Sequence, residues 1–153
     1  MNIRDLINNN LINLSLKADT KIEVLKEVAK MIDRDNRLNS KQQYYDKLIE
    51  REEQFSTGLG YGIAMPHAKT EAVKIPTMTI IKLSKTIEWQ SIDDEPVKLI
   101  IGLAVPEEQG ANTHLKIISK LSMNLMEKDF RDNLMGAENK KEILKLMDLV
   151  LCK

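Results

Sequence analysis

The chain has 153 residues, of which 42% are hydrophobic and 30% charged, an ordinary balance for a globular protein. Its 23 basic and 23 acidic residues cancel, which argues against a nucleic-acid-binding protein. The N-terminus has no basic segment leading into an apolar run, the longest apolar stretch (99–105) is too short to span a bilayer, and Cys152 is the one cysteine. We therefore expect a single cytoplasmic domain over residues 1–153, without membrane insertion or an internal disulfide.

The first third of the chain predicts one strand and two capped helices. After a short helix over residues 2–8, the alternating residues 12–16 indicate an edge strand. Thr20 and Ser40 each begin a capping box, and apolar residues follow both at helical spacing. The first apolar stripe comprises Ile22, Leu25, Val28, Ala29 and Ile32, and the second comprises Tyr44, Tyr45, Leu48 and Ile49.

The remaining segments predict strands that alternate with helices. Residues 56–69 contain three glycines and a proline, which indicates a loop, a short strand and a second loop. Residues 77–83 indicate a strand, and the nearly continuous apolar run 97–105 indicates a strand covered on both faces. Helices are expected over about 113–127, 129–137 and 138–151, the first with the apolar stripe Ile118, Leu121 and Leu125. This order predicts an α/β sandwich.

His67 is one of two histidines and follows the glycine-rich segment directly. Pro66 holds Met65 in an extended conformation, and the glycines allow another molecule to approach closely. Such an environment suits a nucleophile that must meet a partner protein. By position alone, an ordinary surface or half-buried histidine is the more common interpretation.

Two further residues suit an anion. His114 lies in the first turn of a predicted helix, where unpaired N–H groups and partial positive charge attract anions, but it also lines up with the core stripe of that helix. Arg51 ends a predicted helix and can bind a phosphate through two parallel hydrogen bonds, or it is a solvated helix-end cation. The hydroxyls of Ser56 and Thr57 suit a phosphate and suit a turn equally well.

Several familiar motifs are absent from the sequence. The spacing Gly58-x-Gly60-x-Gly62 is not GxGxxG, and no GxxxxGK[ST] occurs. The two histidines with Glu107 and Glu108 are a poor metal set, because the chain has neither HExxH nor a cysteine cluster. We expect no metal and no cofactor. A metal-dependent hydrolase built on the two histidines and a purely structural adaptor stay open as alternatives.

The segment REEQFSTGLGYGIAMPHAKTEAV (51–73) resembles the signature of the fructose/mannitol class of enzyme IIA domains of the bacterial sugar phosphotransferase system. It carries an Arg-Glu pair, a Ser-Thr-Gly segment and Gly-Ile-Ala-Met-Pro-His. Residues 96–134 resemble the same family independently, with an apolar strand, a Pro-Glu loop and a His-Leu pair in a helix. The resemblance covers almost the whole chain, and His-Ala-Lys-Thr after the proline is closer to the fructose branch.

The resemblance implies a mixed central β-sheet flanked by helices on both faces. It implies a phosphoryl carrier that accepts phosphate on His67 from the phosphocarrier HPr and passes it to a cysteine of the matching enzyme IIB, serving fructose or a related sugar. His114 resembles the second active-site histidine of the family and Arg51 its arginine beside the phosphate; Thr57 is a candidate phosphate ligand. Candidates for an apolar rim around His67, where partners dock, are Phe55, Leu59, Tyr61 and Met65. The alternative for some of these, Met65 and Leu59 above all, is a place in the core.

The mechanism expected from these residues needs a neutral imidazole at position 67 and no Mg²⁺. Family analogy suggests attack by Nε2, so Nδ1–H needs an acceptor that the sequence does not identify. The charge of the transferred group would be met by Arg51, by His114 and by the start of its helix. A regulatory phospho-switch of the nitrogen-related branch of the same family is an alternative, because it needs the same site.

Overall fold

The structure, a computed structural model, describes residues 3–108 and 110–151, so Asn2 and Cys152 lie outside it. The helices are α1 (Ile3–Leu6), α2 (Lys21–Arg34), α3 (Lys41–Gln54), α4 (Gly110–Leu125), α5 (Lys128–Gly136) and α6 (Lys140–Leu151), with a 3-10 turn at Asn9–Leu11. The strands are β1 (Ile12–Leu16), β2 (Gly58–Gly60), β3 (Ile63–Ala64), β4 (His67–Thr70), β5 (Thr77–Ile87) and β6 (Val97–Pro106).

The six strands form one mixed sheet in the order β1-β5-β6-β3-β2. Strand β4 also pairs with β6, and it lies beyond β3 on the side of β6 that β5 leaves open. β1 runs parallel to β5, and β3 and β4 run parallel to β6, whereas β5 is antiparallel to β6 and β2 to β3. The mixed sheet and the edge position predicted for residues 12–16 are confirmed.

Helices cover both faces of this sheet, as expected. Helices α2 and α3 pack together over β5 and β4, and α4, α5 and α6 pack together over β6 and β1. Strand β6 is buried at nearly every position, which confirms the strand predicted from its continuous apolar run. Tyr44 of α3 donates its hydroxyl hydrogen to the carbonyl oxygen of Leu103 in β6 at 2.8 Å. This bond fixes α3 against the residue that pairs with His67.

The two predicted capping sites are confirmed. The Thr20 hydroxyl accepts from the N–H of Glu23 at 3.2 Å, and the Ser40 hydroxyl accepts from that of Gln43 at 3.1 Å. The expected core position of Ile22 is wrong, since its side chain is 44% exposed. The buried stripe of α2 is centred on Leu25, Val28 and Ile32, and at 3.6 residues per turn Ile22 lies about 90° from that centre.

Two sequence-based boundaries also differ from the structure. Residues 56–69 form three short strands rather than one, because the backbone of this glycine-rich segment pairs with β6 and with itself. His67 therefore begins a strand instead of lying in a loop. Helix α4 begins at Gly110, so His114 is its fifth residue and not part of its first turn. Among the described helices, none combines the length and apolarity that a membrane crossing requires.

Gly102 in the centre of β6 is expected to be intolerant of a side chain. A Cβ built there would lie 2.5 Å from Thr79 Oγ1 of β5 and 2.9 Å from Val28 Cγ1 of α2, in the packed layer between the sheet and that helix. We expect Gly102→Ala to lower the free energy of unfolding by about 1–3 kcal/mol, measured by chemical denaturation. Gly136→Ala is the matched control, because a Cβ there has nothing within 4 Å. An unchanged midpoint for Gly102→Ala would contradict this account of the packing.

Candidate active site

His67 is half-buried at the start of β4, opposite Leu103 of β6. Its Nδ1 lies 2.8 Å from the carbonyl oxygen of Met65. A carbonyl oxygen only accepts hydrogen bonds, so Nδ1 carries the hydrogen, and the lone pair of the neutral ring is on Nε2. The acceptor that the sequence did not identify is thus a backbone atom two residues away. Pro66 fixes the chain between the two, and its own carbonyl accepts from the N–H of Leu103 at 3.0 Å.

The surroundings of His67 favour the neutral imidazole. Burial is the largest cause that lowers the pKa of His67, and the nearby Arg51 guanidinium lowers it further. The hydrogen bond to Met65 and the negative charge of Glu52 raise the pKa, but the net direction is below the ordinary value of 6.5. A neutral ring at pH 7 is the form that has a nucleophilic lone pair.

Arg51 and His67 line one cavity of about 310 Å³ between α3 and β4. The other residues around it are Lys47, Glu50, Gln54, Ala68 and Lys69. Among these described residues, three cations and one carboxylate give a net charge of +2 when His67 is neutral. Arg51 Nη1 also donates to the carbonyl oxygen of Phe55 at 2.7 Å, which holds the guanidinium at the end of α3. The cavity thus combines a neutral imidazole with an excess of positive charge, which suits a dianionic group.

The structure corrects the expectation that Thr57 binds phosphate. Its hydroxyl donates to Glu52 Oε2 at 2.5 Å and accepts from the indole N–H of Trp89 at 3.2 Å. Its backbone N–H also donates to the Glu52 carboxylate. Because the one hydroxyl hydrogen is used by Glu52, Thr57 has no donor left for a phosphate.

The four predicted rim residues lie in different places. Phe55 is 77% exposed and follows α3, next to Arg51. Leu59 is exposed on β2. The residue before it, Gly58, pairs with Ala64, which precedes His67 by three residues. Met65 is 3% exposed and belongs to the core, so its assignment to the rim is wrong.

Tyr61 lies farther along the sheet from His67, so its place in that rim stays a prediction. It is 64% exposed, but the next residue, Gly62, bonds to Lys98 of β6, whereas His67 pairs with Leu103. Five strand residues separate these levels, or about 17 Å. At its own end of the sheet the Tyr61 ring stacks on the guanidinium of Arg131, 3.8 Å from carbon to ring centre. The sequence places Tyr61 only six residues from His67 and does not show that the chain between them is extended.

The side chain of His114 lies outside the described part of the structure, so its distance from His67 stays a prediction. Its backbone belongs to α4, which follows β6, the strand that pairs with His67. Within the described residues, no group of three or more His, Cys, Asp or Glu side chains is arranged to hold a metal ion.

The sequence model of one protein family, described as "Phosphoenolpyruvate-dependent sugar phosphotransferase system, EIIA 2", matches residues 5–149. The chain belongs to this family. The family resemblance inferred from the two sequence motifs is confirmed, and the chain is an EIIA phosphotransfer domain of the fructose/mannitol class.

Two relatives and one solved structure illustrate this membership. The EIIA domain is 35% identical over 149 residues to the fructose-specific EIIABC component of Bacillus subtilis, covering 97% of this chain but 23% of that protein. It is 40% identical over 107 residues to the fructose-specific EIIA component of Haloferax volcanii, covering 70% and 69%. Its fold matches the nitrogen regulatory protein IIA-Ntr of Neisseria meningitidis with a TM-score of 0.86 and 30% identity, covering 95% and 97%.

Two groups around the EIIA site were not assigned from the sequence. The Met65 carbonyl carries no sequence signal of its own, since any residue supplies one. Glu52 is different, because it stands beside Arg51 in the Arg-Glu pair of the motif. Its side chain is 6% exposed and paired with Lys21, and its charge acts on His67. The Arg-Glu pair of the motif could therefore have identified Glu52 from the sequence as a residue of the site.

Proposed function

We propose that this EIIA domain accepts a phosphoryl group from HPr on Nε2 of His67 and passes it to the cysteine of a matching enzyme IIB, for uptake and phosphorylation of fructose or a related sugar. The observation that carries the proposal is the Nδ1–H bond to the Met65 carbonyl, which leaves the nucleophilic pair on Nε2 beside a positively charged cavity. The fructose assignment is supported by the names of the Bacillus and Haloferax relatives.

The transfer step balances without a base. The Nε2 lone pair forms the new bond to phosphorus while the bond from phosphorus to the donor atom breaks, with its electron pair returning to the donor. Nδ1 keeps its hydrogen, and the Met65 carbonyl stabilises the positive charge that develops on the ring. In the second step the phosphoryl group leaves Nε2, which recovers the pair, and a thiolate of enzyme IIB takes the group.

The charge on the three phosphoryl oxygens needs fixed cationic and N–H donors. Arg51 is the guanidinium in the cavity that can form two parallel bonds to such a group, and Lys69 and Lys47 add positive charge around it. The family resemblance assigns a second donor to His114. Partner docking is assigned to the surface next to Arg51, where Phe55 offers an exposed aromatic ring.

The pH dependence of phosphorylation follows from the pKa of His67. The protonated ring has no pair on Nε2, so the rate falls as the pH drops through the pKa of the folded protein, which burial holds below 6.5. We expect the rate constant for phosphorylation to be independent of pH from pH 7 upwards and to fall to half of that value at a pH below 6.5. The measurement uses a donor whose own charge does not change in this range. NMR titration of the His67 ring gives the same pKa independently. A rate constant that already falls to half at a pH above 6.5 would contradict the conclusion that the surroundings of His67 lower its pKa.

The deciding experiment is phosphate transfer from phosphorylated HPr to the purified chain, followed by mass-spectrometric location of the modified residue. A phosphoryl group on His67 that moves on to enzyme IIB supports the proposal. Labelling at another residue, or none, refutes it.

A second candidate is a regulatory phospho-switch, in which the phosphorylation state of His67 controls another protein. The match to the nitrogen regulatory protein of Neisseria favours it, with a TM-score of 0.86 over 95% of this chain. Both functions begin with the same phosphorylation. They separate at the next step, because only the carrier restores sugar phosphorylation when a matching enzyme IIB and its membrane component are added.

A further inference from the structure

A buried carboxylate lies behind the nucleophile and makes no contact with the cavity. The side chain of Glu52, in the last turn of α3, is 6% exposed and pairs with Lys21 of α2 at 2.8 Å. The Glu52 carboxylate also accepts two hydrogen bonds from Thr57. The Thr57 backbone N–H donates at 3.0 and 3.2 Å, and the Thr57 hydroxyl donates at 2.5 Å. Three hydrogens on one carboxylate compensate the cost of burying it and fix Thr57 relative to α3 and α2.

Thr57 in turn holds the segment that carries the nucleophile. Its carbonyl oxygen accepts from the N–H of Met65 at 2.9 Å, and the carbonyl oxygen of Met65 accepts from Nδ1 of His67 at 2.8 Å. A continuous chain of hydrogen bonds therefore runs from Lys21 through Glu52, Thr57 and Met65 to the imidazole ring. The negative charge of Glu52 also acts on His67 directly.

We propose that Glu52 is a positioning residue for phosphoryl transfer, which holds the Met65 carbonyl through Thr57 so that His67 keeps Nδ1 protonated and presents Nε2. The inference rests on the proposed function of His67 and adds what keeps that ring in its reactive tautomer. It differs from a plain stabilising ion pair, because Glu52 accepts two hydrogens from Thr57, whose carbonyl oxygen accepts from the N–H of Met65.

Trp89 provides a probe of this chain of bonds. It is the single tryptophan, it is buried, and its indole N–H donates to Thr57 Oγ1 at 3.2 Å. The ammonium of Lys21 lies 5.3 Å from the centre of its ring. Tryptophan fluorescence therefore reports whether the surroundings of Thr57 are intact in a variant.

The test compares Glu52→Gln with Glu53→Gln in the full chain. The first change keeps the side-chain shape but removes the charge of the buried acceptor; the second makes the same chemical change at an exposed neighbour. We expect Glu52→Gln to lower the maximal rate of phosphorylation by HPr about 10–100-fold, as misplacement of a reacting group does, with little change in KM for HPr. Glu53→Gln is expected to behave as the native chain.

The second readout is the tautomer of His67, obtained from the ¹⁵N shifts of its ring at pH 8, where the ring is neutral. We expect Glu52→Gln to increase the fraction that carries hydrogen on Nε2. A stabilising role alone would lower the unfolding midpoint and leave this fraction unchanged. A folded Glu52→Gln protein with the native rate and the native tautomer ratio would overturn the inference while leaving His67 as the acceptor.

If Glu52→Gln loses the native tryptophan fluorescence, Thr57→Val decides instead. It preserves the β-branched shape and the backbone N–H, and it removes the hydroxyl that donates to Glu52 and accepts from the Trp89 indole N–H. Circular dichroism therefore replaces tryptophan fluorescence as the test of folding for this variant. A transfer rate several-fold below the native one, together with a larger fraction of His67 protonated on Nε2, supports the positioning role. A native rate with the native ratio of the two His67 tautomers overturns it. Failure of the proposed function is recognised separately, because the native chain itself would then show no phosphate on His67.

Discussion

Replacing His67 by alanine is expected to abolish phosphorylation of the chain by HPr. The substitution removes the lone pair that forms the new bond to phosphorus. The other described residues that line the cavity are three cations, one glutamate, one glutamine and one alanine. Among the other described side chains that line this cavity, none is a neutral nucleophile at pH 7. The measurement is incorporation of phosphate from phosphorylated HPr, with intact-protein mass spectrometry as the readout.

The control for this variant is the other histidine. His114→Ala removes an imidazole but leaves the nucleophile. We therefore expect this variant to take up phosphate more slowly, and at His67 as in the native chain. Phosphate uptake by His67→Ala with undiminished yield would show that the acceptor is elsewhere. Circular dichroism of His67→Ala shows whether the variant is folded, and we expect a native spectrum because His67 is half-buried and lies outside the apolar core.

The second large effect is expected for Arg51→Ala. The guanidinium lies in the cavity of His67 and affects the pKa of that ring, so it is close enough to stabilise the transferring group. Loss of one such donor typically costs about 3–4 kcal/mol at the transition state, or about 10²–10³ in rate. Single-turnover transfer at saturating HPr measures this rate, and His67 remains the labelled residue.

Two comparisons separate charge from geometry in this prediction. Arg51→Lys keeps the charge without the planar pair of donors, so an intermediate rate is expected. Arg34→Ala removes the last residue of α2, an exposed helix-end arginine paired with Glu27 at 3.4 Å, and should leave the rate unchanged. Because Arg51 also bonds to the Phe55 carbonyl, the unfolding midpoint must be measured for each variant. An Arg51→Ala protein that is folded and transfers at the native rate would remove Arg51 from the site.

Much of the fold was accessible from local patterns. The hydroxyls of Thr20 and Ser40 cap their helices as their spacing indicated, and residues 12–16 form the edge strand that their alternation predicted. These features depend on neighbours within about four residues, and such interactions are visible in a sequence. The Arg-Glu and Pro-His motifs likewise identified the family, because their order along the chain is itself the signal.

Contacts between distant segments were not accessible in the same way. The burial of Met65, the separation of Tyr61 from His67 and the role of Thr57 all depend on how residues 56–70 pair with β6 and with Glu52 of α3. The same is true of the Met65 carbonyl, whose direction follows from backbone pairing and not from the identity of its side chain.

The sequence by itself therefore determined which family this chain belongs to, which histidine is the candidate nucleophile and where most helices and strands lie. Only the tertiary structure decided which nitrogen of His67 holds the lone pair, and that Arg51 shares its cavity while Tyr61 does not. The physical reason is that a local pattern specifies an element, whereas the distance and orientation of two side chains are specified by strand register and helix packing, which depend on the whole chain at once.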